Sequence, residues 1–335
     1  MRVLIPERLT PSAVAPPQGD HILLSGAAMG TSWSVRAFAP SDQSPDALRS
    51  GIETVLADVI AQMSSWEAGS DISRFNQAPA GSRHALPSGF ATVLAAALDI
   101  ATRSGGGFDP TAGALVDLWG FGPIPASQRP PPAAAIATAL GMSGWRKLGW
   151  EPASRVAIQP GGLVLDLSGI AKGHAVDRVF DWLLSRGVTS CLVEIGGELR
   201  GTGIKPDGQP WWVMLESPPD AGGACLDPTR IALHGLAVAT SGDYNRFFEA
   251  GGRRYAHSID PRSGWPIAND LASVSVVHDS CMWADGWATA LTVLGMEAGV
   301  ALADELALAA LFVRRHDGGL EERPSAAFAA MADDS

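Results

Sequence analysis

Residues 163–177 read Leu-Val-Leu-Asp-Leu-Ser-Gly-Ile-Ala-Lys-Gly-His-Ala-Val-Asp. A short leucine and valine run carries Asp166, the chain turns on Gly169, and Lys172 stands at the start of a helical stretch. This predicts a strand over 163–167 feeding a helix over 171–186. Such a junction presents amide N–H groups and the positive end of a helix dipole, a setting suited to an anionic ligand. A phosphate-bearing substrate is the first candidate.

Working outward, residues 191–195 predict a second strand after that helix. Further strand signals follow at 211–215, 237–240, 253–259 and 272–277. Helices are expected over 282–294 and 297–307, then a last strand over 310–314. Upstream, Trp33, Val35 and Ala37 alternate with polar residues, as in a half-buried strand. Ile52, Val55, Leu56, Val59, Ile60 and Met63 recur at helical spacing and predict an amphipathic helix over 45–63. A second such stripe, from Phe90 to Ala101, ends at Gly105-Gly106-Gly107. Strands outnumber helices in the second half and often follow one another with no helix between. The fold class is therefore α+β, with mixed or antiparallel sheets and packed helices, not a doubly wound parallel sheet.

The expected organisation is a flexible arm over 1–20, one main unit over 21–315 with room for two subdomains, and a frayed tail over 316–335. The Pro/Ala-rich stretch 124–140 reads as a surface excursion within the main unit. The 335 residues are 46% apolar, enough for a substantial core. A net charge of −11 excludes the basic footprint of a nucleic-acid binder. Three scattered cysteines, Cys191, Cys225 and Cys281, suit free thiols in a reducing compartment. The first twenty residues hold no apolar run of signal-peptide length, lipobox cysteine or twin arginine. Nowhere do about 18 apolar residues run together. The expected location is cytoplasmic, without stable membrane insertion.

Asp285 and Thr289 lie four apart on a helical segment and so share a face. Carboxylate and hydroxyl oxygens suit magnesium better than zinc, although a helix carboxylate with a threonine bonded back to its own backbone has the same spacing. His257 lies where strand runs into turn, in Tyr-Ala-His-Ser-Ile-Asp-Pro-Arg-Ser-Gly over 255–264, and is the side chain best placed to accept a proton near neutral pH. A packed or surface histidine would look the same. Gly105-Gly106-Gly107-Phe108-Asp109-Pro110-Thr111 is a glycine-rich turn that lets backbone approach a ligand. Trp66 follows a helix, where its ring could stack on a flat ligand or cover the core. Walker A, dinucleotide-fingerprint, nucleophile-elbow and His-Glu-x-x-His patterns are all missing.

In order, these pieces resemble the FAD:protein FMN transferase family, the ApbE-like flavin transferases. The matching blocks are Met29-Gly30-Thr31; Met63-Ser64-Ser65-Trp66 with Ser70-Asp71-Ile72-Ser73-Arg74-Phe75-Asn76; Phe108-Asp109-Pro110-Thr111 with Leu118-Trp119-Gly120-Phe121-Gly122; and 166–177. They continue with Glu194-Ile195-Gly196-Gly197-Glu198; Ala239-Thr240-Ser241-Gly242-Asp243-Tyr244; 255–264; and Ala284-Asp285-Gly286-Trp287-Ala288-Thr289-Ala290-Leu291.

The resemblance implies an ApbE-like α+β fold and a Mg²⁺-dependent transfer of the FMN half of FAD to a Thr or Ser hydroxyl of an acceptor flavoprotein, with release of AMP. FAD would be a substrate. Asp285, Thr289 and the Gly169 carbonyl would hold Mg²⁺. Met29, Trp66, Gly107, Phe108, Asp109, Asp166, Lys172 and Ile259 would contact FAD, and His257 would act as the base. The place of Trp66 is often tyrosine in the family. Two other outcomes share these residues: an FAD pyrophosphatase giving FMN and AMP, and an FAD-binding protein without turnover.

Overall fold

The computed structural model describes residues 1–6, 15–124, 129–216, 218, 228–243, 246–316 and 319–332. Its helices are α1 (Pro45–Met63), α2 (Asp71–Asn76), α3 (Ser88–Arg103), α4 (Gly113–Leu118), α5 (Ala133–Met142), α6 (Ala171–Ser185), α7 (Cys281–Leu294), α8 (Met296–Glu305) and α9 (Ala326–Ala330). An eight-stranded antiparallel sheet forms the frame. Its strands lie side by side in chain order: Asp20–Ala28, Thr31–Ala39, Ser190–Ile195, Glu198–Thr202, Leu236–Gly242, Leu271–His278, Ala309–His316 and Gly319–Pro324. Four long insertions leave this meander. The first carries α1 to α6, the second the strands Trp211–Met214 and Thr229–Leu233, the third the hairpins around His257, and the fourth α7 and α8.

Alternation decides which side of the sheet each residue serves. Ala37, Val193, Ala239, Val274 and Phe312 face the main core, where α7 packs on α6 and on the strands Leu236–Gly242 and Leu271–His278. Leu192, Val238, Val277 and Leu311 face a second core, capped by Leu4, Trp211, Ile231 and Phe328. Both faces being covered, Leu271–His278 is buried along nearly its whole length, Ser273 and Ser275 included. A third cluster joins α4 and α5 to the hairpin Phe247–Ala250/Arg253–Ala256, with Trp119 stacked on Tyr255 and bonded through Nε1 to the Gly264 carbonyl at 2.9 Å.

The α+β architecture is as expected; three local expectations are corrected. Residues 163–167 are not a strand. Leu163, Leu165 and Leu167 are buried in alternation, but only Val164 forms a bridge, to Ala112. The Gln159 and Asn76 side-chain amides bracket Leu163 and Leu165, and the Pro110 carbonyl takes the Asp166 amide, satisfying the groups a neighbouring strand would have used. The arm over 1–20 begins as a strand: Arg2–Leu4 pairs in parallel with Thr229–Leu233, and fully buried Leu4 anchors it. The described part of the tail is not frayed, since Gly319–Pro324 completes the sheet and α9 buries Phe328 beneath an N-cap from Ser325; residues 317–318 and 333–335 lie outside the described residues. The Pro/Ala stretch ends in α5, which seats Ile136 and Ala139 in the third cluster. Residues 125–128 of that stretch lie outside the described residues.

Cys191 and Cys281 are buried free thiols, and burial pushes the Cys191 thiol up to about 12, so neither is poised to react. Cys225 lies outside the described residues. No helix among the described residues is long and apolar enough to cross a membrane.

Buried His174 on α6 carries a pH liability. Burial first, then the Arg178 charge, holds its pKa at about 4. An unfolded histidine takes its proton near 6.5, so between those pH values only the unfolded chain binds it, and stability falls as pH falls. The full difference is about 3 kcal/mol. We expect His174→Gln to lose much less stability than the parent between pH 7 and 4.5, measured by urea unfolding; equal losses would refute this assignment.

Candidate active site

All four insertions contribute to the lining of one cavity of about 440 Å³. The hairpin turn at Met29 and Gly30 supplies one wall, with both residues at positive φ (52° and 73°), the geometry of a two-residue turn. The glycine-rich turn supplies Gly107, Phe108 and Asp109. A Cβ on Gly107 would meet Leu294 at 2.9 Å, so this backbone packs where no side chain fits. The 166–172 segment adds Asp166, Ser168, Gly169 and Lys172, the third insertion His257 and Ile259, and α7 Asp285 and Thr289. Of the twelve expected site residues, only Trp66 does not line the cavity; it is 63% exposed in the turn after α1.

At the cavity floor lies a set of oxygens. Thr289 Oγ1 donates to the Gly169 carbonyl at 3.3 Å, and Ser241 Oγ lies 3.3 Å from Thr289 Oγ1. A Cβ on Gly169 would stand 2.9 Å from Thr289 Oγ1, which explains the glycine there. Asp285, 3% exposed, accepts the Gly173 amide on Oδ2 at 2.9 Å. Burial raises the Asp285 pKa, against the pull of the Lys172 charge and the Gly173 bond. Carbonyl, carboxylate and hydroxyl donors with no nitrogen or sulfur suit a hard divalent cation such as Mg²⁺. No group of three His, Cys, Asp or Glu among the described residues offers an alternative centre.

Lys172 pairs with Glu198, which is almost fully buried. Burial opposes the lysine charge, but the Asp285 and Glu198 carboxylates outweigh it and hold the Lys172 pKa above its ordinary value. Burial and the Asp285 charge push Glu198 up to about 8, against Lys172. Two carboxylates and one ammonium thus sit together in a poorly solvated place, which a divalent cation would relieve.

His257 is half-buried. Its Nδ1 lies 3.1 Å from the Arg246 carbonyl, an acceptor that favours the proton on Nδ1 and leaves the Nε2 lone pair free. Burial, then the Arg246 guanidinium, lowers its pKa. The histidine is therefore neutral at pH 7.

Two expectations about ligand contacts change. Asp109 is committed to Thr111 and distant Trp145: Oδ1 accepts from the Thr111 amide and hydroxyl, and Oδ2 from the Trp145 amide. It shapes the wall instead of offering free oxygens. The junction before α6 also has fewer free amides than expected, because Gly173 N–H is taken by Asp285 and Ala171 N–H by the Leu167 carbonyl. Residues the sequence did not single out are Ser241, Glu198 and Arg246. Ser241 is the next-to-last residue of the strand Leu236–Gly242, and Glu198 follows the positive-φ pair Gly196-Gly197, a turn that only glycine adopts freely. Tyr244, in a block carrying the resemblance, lies outside the described residues.

A protein-family model described as the ApbE family matches residues 29–312. The chain is 37% identical over 310 residues to an FAD:protein FMN transferase of Vibrio cholerae, covering 92% of each chain. It is 36% identical to an FAD:protein FMN transferase of Haemophilus influenzae, covering 92% of this chain and 90% of that one. Among solved structures, it is similar to the apo form of the Pseudomonas stutzeri flavinyl transferase ApbE, with a TM-score of 0.86, 38% identity, and coverage of 93% of this chain and 96% of that chain.

Proposed function

The chain belongs to the ApbE family, and on that premise we propose that it transfers the FMN half of FAD to a hydroxyl of an acceptor protein, releasing AMP. The observation that carries this reading is the convergence of the Gly169, Asp285 and Thr289 oxygens, Lys172 and His257 on one cavity.

FAD binds as substrate, with Met29, Gly107, Phe108, Asp166 and Ile259 forming walls for its rings and linker. Gly169, Asp285 and Thr289 would hold Mg²⁺, which would supply positive charge against the charge building on the diphosphate. Lys172 adds a second positive charge beside the diphosphate. A Thr or Ser hydroxyl of the acceptor then attacks the phosphorus on the FMN side. A new P–O bond forms, the bridging P–O bond breaks, and AMP leaves with the bridging oxygen. His257 Nε2 takes the proton from the attacking hydroxyl; its neutral state at pH 7 is the one this requires.

The test is incubation with FAD, Mg²⁺ and cell extract, followed by in-gel flavin fluorescence of denatured proteins. A fluorescent band that depends on the enzyme supports transfer. FMN and AMP formed at the same rate with or without extract, and no band, would mean hydrolysis instead. Asp285→Asn should cut the transfer rate at least ~10³-fold, since an amide both weakens the cation site and removes its only carboxylate. Removing a buried charge need not cost stability. The variant should therefore unfold at or above the parental temperature without Mg²⁺, yet lose the rise that Mg²⁺ gives in the presence of FAD. A parental Mg²⁺ response in Asp285→Asn would refute the assignment of this carboxylate.

A further inference from the structure

Asp177, 9% exposed on α6, is saturated with hydrogen bonds, and most of them come from α7. Its Oδ1 accepts the Cys281 amide at 2.9 Å and Arg200 Nη1 at 2.7 Å. Its Oδ2 accepts the Ser280 hydroxyl at 2.7 Å and the Met282 amide at 3.0 Å. All but the Arg200 guanidinium are donors at the open end of α7, whose amides are normally satisfied by a residue next to the helix in sequence. Here a carboxylate more than a hundred residues away does so, its charge facing the positive end of the α7 dipole.

This cap is one of three rungs. Gly169, two residues before α6, and Gly173 and Asp177 within it are spaced by four; Thr289, Asp285 and Cys281 are spaced by four along α7 in the opposite direction. Thr289 donates to the Gly169 carbonyl, Gly173 donates to Asp285, and Cys281 donates to Asp177. Along α7, each rung is about 6 Å of helix rise from the next. The first two rungs are made by the very oxygens assigned to the cation. The third touches neither cation nor substrate, yet slippage of α7 against α6 would misplace all three together.

We propose that Asp177 is a positioning residue: by capping α7 from α6 it fixes the register of the two helices and so sets the spacing of the Gly169, Asp285 and Thr289 oxygens. This rests on the cation reading given above. A residue with only a stabilising role would lower the unfolding temperature without changing how the cation binds. Asp177 changes cation binding beyond any change in stability.

The test uses the full chain with saturating FAD and MgCl₂ as the probe, reading the Mg²⁺ concentration that gives half the maximal rise in unfolding temperature. Asp177→Asn should raise that concentration at least tenfold. Ser280→Ala, which removes one of the four bonds and leaves the backbone donors, should raise it about threefold and covers the case in which Asp177→Asn does not fold. Ser325→Ala is the matched control: this buried serine caps the distant α9, accepting the Ala310 amide at 2.9 Å. It should lower the unfolding temperature and leave the half-saturating Mg²⁺ unchanged. Parental Mg²⁺ dependence in both Asp177→Asn and Ser280→Ala, or an equal shift in Ser325→Ala, overturns the proposal. A parent that shows no Mg²⁺ response overturns the cation reading itself, and the proposal with it.

Discussion

Gly173→Ala should nearly silence the enzyme, although alanine is the better helix former. On propensity alone the change would stabilise α6 by about 1 kcal/mol. The packing says otherwise. A Cβ on Gly173 would sit 2.3 Å from the Cys281 carbonyl oxygen, 2.6 Å from its carbon and 2.8 Å from Asp285 Cβ. The first two are backbone atoms of a buried helix, so no side chain can swing aside. α6 and α7 must separate, which stretches the Gly173–Asp285 bond and the rungs on either side of it. Overpacking of this kind costs about 1–3 kcal/mol. Displacing catalytic groups by about 1 Å costs on the order of 10²-fold in rate, and loss of cation contacts adds to that. Thermal unfolding and a transfer assay over a Mg²⁺ range check both effects. Gly141→Ala on α5 supplies the contrast: nothing lies within 4 Å of the added Cβ, so that variant should match or exceed parental stability with full activity. If Gly173→Ala behaved like Gly141→Ala, the close crossing of α6 and α7 would not be what holds the site.

His257→Ala should cut transfer by about 10²–10⁴-fold, the usual contribution of a positioned general base, while FAD and Mg²⁺ still bind. The imidazole lines the cavity and no charge or cation contact goes with it, so binding and turnover should separate cleanly. The parent's pH profile carries the same information. Burial and the Arg246 charge lower the His257 pKa, so the base stays active as pH falls past 6.5, and the acid limb of kcat/KM lies below that value. Arg246→Gln removes the nearby cation and should move the limb upward, toward 6.5. An acid limb unmoved in Arg246→Gln, or a His257→Ala enzyme with parental kcat, would take the base role away from this residue.

Much of the frame was legible because its elements have strong periodicity. The helical stripe from Ile52 to Met63 matches α1, and the alternation at Trp33, Val35 and Ala37 matches a sheet strand. What misled was pattern without a partner. Leu163, Leu165 and Leu167 alternate as a strand would, but side-chain amides of Gln159 and Asn76 replace the neighbouring strand, and nothing local in 163–167 announces this. The two termini read as loose because short, polar or alanine-rich segments carry little signal; Leu4 and Phe328 are held by tertiary burial that sequence spacing does not encode. For the site, the ordered blocks located eleven of the twelve residues at the cavity. They could not show that Asp109 spends its oxygens on Thr111 and distant Trp145, nor that Asp177 reaches across to cap α7. Both depend on pairings between segments that only the fold brings together.

The most direct measurement of the central claim is the ratio of acceptor-bound FMN to released AMP, with FAD, Mg²⁺ and acceptor protein supplied to the enzyme and the denatured acceptor weighed by mass spectrometry. The account predicts one FMN gained, on a Thr or Ser, for each AMP formed. AMP accumulating beside free FMN while the acceptor's mass stays constant would contradict it.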